Sequence, residues 1–196
     1  MAADYGGVVG PHWYASVAAR IVAETDQAPW VAVLHSGAGG FAPAIAAVAK
    51  RLAGFVFMDA VLPYPGRSWR ETAPPSLAVH LDALTDDGLL APWNRWFGGD
   101  VMARLLPDAA QRTAFIADLP RVPVSFLDAV SPDLTEWERI AAAYLRLSDG
   151  YEAEAAEADR RVWPTARTRM HHLAMITDPD KVAALLTKLI SSFASR

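Results

Sequence analysis

An α/β architecture, a parallel sheet flanked by helices, is the fold class the sequence predicts, and three observations predict it. Short β-rich apolar runs at Trp30 to Leu34 and at Phe55 to Met58 flank the helical stretch AIAAVAKRLA, the strand, helix, strand order expected of parallel pairing. Two further runs, AAYLRL at 142 to 147 and a segment near 165 to 170, each precede a helical pattern, so at least four strands are expected. With 196 residues, 53% of them hydrophobic, the chain can bury one sizeable core.

The elements follow in order. Residues 14 to 25, YASVAARIVAET, carry apolar side chains at helical spacing and end before a polar DQAP turn, which predicts an amphipathic helix leading into the first strand. Between Pro63 and about Pro132 the character changes, with frequent Pro, Trp and Gly and short helical patterns such as SLAVHLDAL and AAQRTAFIADL. A long irregular connection is uncommon in a compact domain unless it has a function. The chain therefore divides into a core of residues 1–63 and 133–196 and a helical cap inserted at 64–132. Helices are expected at 151 to 160 and from about 179 to 193.

Composition removes several classes of function. The net charge is −4 with Lys and Arg scattered, so no surface is expected for nucleic acid or an anionic membrane. There is no cysteine, which excludes disulfides, thiolate metal sites and cysteine catalysis and fits a cytoplasmic location. No apolar run approaches the roughly 18 residues of a membrane span. His171 and His172 adjoin, with no carboxylates at ligand spacing, so neither a metal nor another cofactor is expected.

The stretch VAVLHSGAGGFAPAI, residues 31 to 45, admits two chemistries. Gly37, Gly39 and Ala42 match a dinucleotide loop, and Asp59 stands near the end of the next strand, about the 20-residue distance of a ribose-binding acid. Against a dinucleotide-binding domain, Pro43 falls in the opening turns of the helix and the second half of the chain repeats no mononucleotide unit. Alternatively, Ser36 is a nucleophile on a sharp strand-to-helix turn, which needs small residues two positions to either side. Ala38 meets that need, while Leu34 occupies the place where glycine or alanine is usual. The plain alternative is Ser36 as a helix cap.

Chain order favours the nucleophile. Ser36, Asp149 and His172 follow three predicted strands in turn, an arrangement in which the carboxylate orients an imidazole that takes the serine proton and returns it to a leaving group. Asp59 is the second candidate for the carboxylate, or caps its own loop. VAVLHSGAGG, AGFVFMDAVLP, YLRLSDG and HLAMITDP together resemble the α/β-hydrolase superfamily, in particular its branch of small esterases and hydroxynitrile lyases. The resemblance spans roughly residues 10 to 193. It implies His172 rather than His171 as the base, and a sheet shortened at its N-terminal side, since in such enzymes several strands precede the nucleophile. One of those strands is followed by a loop that supplies an oxyanion donor; here the Gly37 amide is the one donor legible in the sequence.

The predicted activity is acyl transfer from a small, largely apolar ester, lactone or thioester, with Ser36, His172 and Asp149 or Asp59 as the triad. Trp69, Trp93 and Trp96 are candidates for an aromatic substrate wall, or for ordinary core. A lyase or cyclase using the same pocket for proton transfer, and a degenerate fold that binds a ligand or a partner chain, remain as alternatives. Because WVAVL reads as a strand flanked on both sides yet would lie at a sheet edge, a homodimer is expected, with an interface near residues 5 to 35.

Overall fold

The structure, a computed structural model, describes residues 12–195. They fall into two compact units: one contains residues 14–66 and 131–195, the other 67–130 together with the segment ending at Trp13.

The first unit is built on helix α1 (Trp13–Thr25), strand β1 (Trp30–Ser36), helix α2 (Ala42–Val48), strand β2 (Leu52–Ala60), strand β3 (Ala142–Arg146), helix α3 (Glu152–Arg160), strand β4 (Thr165–Arg167) and helix α4 (Pro179–Ser191). The four strands form one parallel sheet in the order β1, β2, β3, β4. Alternation along β2 assigns its two faces. Val56 and Met58 join Ala143, Leu145, Val182 and Leu189 in a core under α4. Phe55 and Phe57 lie 6.0 Å apart, and Phe57 stacks on Trp163 at 5.5 Å and meets Trp137 edge-on at 6.2 Å. Seven consecutive residues of β2, Gly54 to Ala60, are buried, as a parallel strand covered on both sides must be.

Two expected strand ends are shorter than the apolar runs that announced them. β3 stops at Arg146 because the Leu147 amide turns away to donate to Asp59 Oδ1 at 2.8 Å. β4 stops at Arg167 because Thr168 Oγ1 donates back to the Leu147 carbonyl at 2.9 Å and opens a turn. The last helix ends at Ser191 rather than 193 and tightens into a 3₁₀ turn.

The second unit consists of short helices at Trp69–Thr72, Pro75–Ala83, Val101–Leu105 and Ala109–Ala117, with a two-residue antiparallel ribbon. Three of the four helix starts are capped by side chains, and the fourth opens on Pro75 at its first position. Ser68 and Glu71 form a reciprocal capping box, and Asp100 and Asp108 accept amides of the first turns at 3.0 and 2.7 Å. The ribbon turns through Asp87 and Gly88, both at positive φ, as a tight hairpin requires. Leu81, Leu90 and Leu127 are its buried centre. No helix among the described residues is long and apolar enough to cross a membrane.

Candidate active site

β1 ends with a break in register between His35 and Ser36. Ser36 takes φ 57° and ψ −129°, a conformation that a residue with a Cβ holds only where its surroundings impose it, at about 1–3 kcal/mol. The imposing contacts are visible. The Ser36 carbonyl accepts the Val61 amide at 3.1 Å, and a Cβ on Gly39 would lie 1.8 Å from the Val61 carbonyl oxygen. Gly39 therefore lets the turn lie flat against the end of β2. Leu34 is buried, and the sharp turn forms with it in place; the glycine that the close approach demands stands three residues after the serine. Ser36 has no side-chain cap bond to the 3₁₀ turn that follows, which disposes of the helix-cap alternative.

Asp59, at the end of β2, is also held at positive φ, 45°, and is fully buried. Its carboxylate accepts four hydrogen bonds: from the Leu147 and Ser148 amides at 2.8 and 2.9 Å, from Ser148 Oγ at 2.6 Å, and from His172 Nδ1 at 2.9 Å. Burial alone would push this carboxyl up, but the bonds from His172 and Ser148, joined by the Leu147 amide, outweigh it and hold the group below the usual carboxylate range. A carboxylate so fully engaged has no lone pair to offer a ribose, and Gly39 faces β2 rather than a phosphate. The basis of the dinucleotide reading is gone.

Asp149 lies elsewhere. It pairs with Arg146, and its side chain is 92% exposed. The order of preference drawn from the sequence is thus reversed: the imidazole of His172 has Asp59 behind it, while the loop after β3 contributes amides and a hydroxyl to Asp59 instead of a carboxylate of its own.

His172 sits in the turn after β4 and before α4. Nδ1–H donates to Asp59, which leaves the Nε2 lone pair as the basic site. Its neighbour His171 is engaged structurally, with Nε2 3.0 Å from Thr177 Oγ1 and Nδ1 accepting the Leu173 amide at 3.3 Å. His35 supports the catalytic candidate from the β1 side. Its Nε2 donates to the His172 carbonyl at 3.0 Å and its ring lies 4.3 Å from the His172 ring. Burial, then the neighbouring His172, lowers the His35 pKa to about 4, so it is a neutral imidazole at ordinary pH.

The residue that sequence reasoning missed is Tyr151. Its hydroxyl is 3.3 Å from Ser36 Oγ, and its ring stacks on His172 at 5.2 Å with 7° between the planes. One side chain thus touches both the serine and the histidine. The signal available was slight: a tyrosine in the turn that opens α3, two residues beyond the aspartate that drew attention. Around Gly37, a Cβ would meet nothing within 4 Å, so the backbone beside the serine borders open space.

In the second unit, Trp69 and Trp96 pack on the Leu81, Leu90 and Leu127 core, and Trp96 Nε1 donates to the Ala91 carbonyl at 2.7 Å. Trp93 meets Phe97 and Phe115 edge-on at 5.5 and 6.5 Å. His80 bonds the Trp96 carbonyl at 3.0 Å. Among the described residues no group of three or more His, Asp or Glu side chains is placed to hold a metal ion.

Solved structures share this fold. An extracellular α/β-hydrolase from a Paenibacillus species superposes with a TM-score of 0.73 at 20% identity, over 96% of this chain and 83% of its own. The chain has the α/β-hydrolase fold. A pyrethroid hydrolase from Sphingobium faniae matches this hydrolase-fold chain with a TM-score of 0.66 at 18% identity, over 100% of this chain and 84% of its own. An Arabidopsis methylesterase matches with 0.61 at 15%, over 96% and 80%. No protein-family model and no curated protein matches the hydrolase-fold chain.

Proposed function

We propose that this hydrolase-fold chain cleaves small, largely apolar esters by nucleophilic catalysis, with Ser36 as nucleophile, His172 as general base and acid, Asp59 as the orienting carboxylate and the Gly37 amide as an oxyanion donor. The observation that carries the reading is the Asp59 to His172 Nδ1 bond at 2.9 Å, in which a buried, four-times-bonded carboxylate commits the imidazole to the tautomer a base needs. A strained serine at the end of the neighbouring strand supports it. In the step proposed, Ser36 Oγ bonds to the acyl carbon while its proton passes to His172 Nε2; the proton then goes to the leaving alcohol as that bond breaks. Water repeats the sequence on the acyl-enzyme.

Ester rather than amide chemistry is favoured by the fold neighbours, one of which is named a methylesterase. Turnover of p-nitrophenyl acetate and butyrate tests the reading. Ser36→Ala is expected to reduce kcat by about 10⁴-fold or more. Full turnover by that variant would instead point to proton-transfer chemistry without a covalent intermediate.

A further inference from the structure

We propose that Tyr151 donates a hydrogen bond to Ser36 Oγ that promotes expulsion of Oγ from the acyl-enzyme, so that Tyr151 controls deacylation rather than acylation. The inference rests on the ester-hydrolase reading and deepens it.

The direction of the bond follows from its neighbours. His172 Nδ1–H is given to Asp59; in the ester-hydrolase reading Nε2 takes the Ser36 proton, and an Oγ without its proton can only accept from Tyr151. A phenol is also the stronger donor of the two hydroxyls. Burial, with the negative charges of Asp59 and Glu154, raises the Tyr151 pKa in spite of its bond to Ser36, and the side chain therefore keeps its proton throughout. Stacking on His172 at 5.2 Å fixes the ring, so the hydroxyl is presented to Oγ without reorganisation.

The charge on Oγ decides which step benefits. In the free enzyme the bond is already made, at a loose 3.3 Å, and it draws electron density from the nucleophile, which offsets what it gives the acylation transition state. In the acyl-enzyme Oγ is an ester oxygen, a poor acceptor. Water then adds to the acyl carbon and gives its proton to His172 Nε2; the bond from carbon to Oγ breaks with its electron pair going to Oγ, and His172 returns the proton there. The acyl-enzyme starts with almost none of the Tyr151 hydrogen bond, so the charge that develops on Oγ in the last step gains it nearly in full, whereas in acylation the free enzyme already holds it; an interaction stronger in the transition state than in the ground state accelerates the step.

Stopped-flow hydrolysis of p-nitrophenyl acetate separates the two steps. Tyr151→Phe keeps the ring on His172. It is expected to leave the burst rate unchanged and to lower the steady-state rate about 10- to 100-fold, the range for a hydrogen bond to a charged acceptor, with acetylated Ser36 accumulating by intact mass. A 3-fluorotyrosine at position 151, a stronger donor of nearly the same shape, is expected to raise the steady-state rate, and it decides the point if the phenylalanine variant folds poorly. Equal loss in burst and steady state, or no change in either, overturns the assignment. Wild-type turnover that survives Ser36→Ala overturns the hydrolase reading itself, whereas loss of turnover in Ser36→Ala with unaltered kinetics in Tyr151→Phe overturns only the role of Tyr151.

Discussion

Four described residues other than glycine hold positive φ: Ser36, Asp59, Asp87 and Val162. The first two are triad candidates and the third serves a hairpin. Val162 is different, a β-branched side chain at φ 59°, 75% exposed, in the turn between α3 and β4. Replacing it with glycine is expected to stabilise the fold by about 1 kcal/mol without altering ester turnover, read as a rise in denaturant midpoint. His35 yields a prediction of opposite sign. Its folded pKa near 4 lies below the ordinary value of 6.5, so between these limits the unfolded chain binds more protons and acid lowers stability. The loss begins as pH falls through the unfolded value and is complete below the folded one. Asp59 adds to it at lower pH, as its depressed carboxyl is protonated. His35→Asn, which keeps a donor towards the His172 carbonyl but cannot titrate, is expected to flatten the melting temperature between pH about 6.5 and about 4; an unchanged slope would remove His35 as its source.

At the scale of elements, the end of β2 is held by β3. Tyr144 Oη accepts the Ala60 amide at 3.1 Å and donates to the Ala60 carbonyl at 2.7 Å, both deep in the sheet. Those bonds fasten the backbone next to strained Asp59. Tyr144→Phe leaves two buried backbone groups unpaired and is expected to cost about 1–3 kcal/mol on thermal unfolding, with a fall in ester turnover as Asp59 loses its position. Intact turnover beside lowered stability would separate packing from positioning. The four strands and the helices α1, α3 and α4 were legible in the sequence, because the helices carry apolar side chains at helical spacing and the central strands, buried on both faces, are continuous apolar runs. Strand order favours Asp149, whereas it is Asp59 that bonds His172, because strand order alone cannot distinguish a loop that carries an acid from one that solvates it. What distinguishes them is local. Arg146, three residues before Asp149, claims that aspartate, and Ser148 gives its amide and hydroxyl to Asp59. Tyr151 was illegible for a related reason, since only the closed turn brings its hydroxyl to the serine.

At the scale of the molecule, β1 is the outer strand of the four-stranded sheet and Val33 on it is 40% exposed. A parallel edge invites pairing unless it is covered. We expect a second copy of the chain to cover it; part of the interface anticipated near residues 5 to 35, namely 5 to 11, lies outside the described residues. Light scattering at micromolar concentration is expected to give twice the mass of one chain, and the mass of a single chain would refute the dimer. We propose that the ends of β1 and β2 and the turn after β4 assemble one triad with Asp59, not Asp149, as its acid. Labelling of Ser36 by a fluorophosphonate tests it most directly. Asp59→Asn and His172→Ala are each expected to slow labelling by about 10³- to 10⁴-fold while Asp149→Asn labels at the wild-type rate; slow labelling in Asp149→Asn with a normal rate in Asp59→Asn would contradict it.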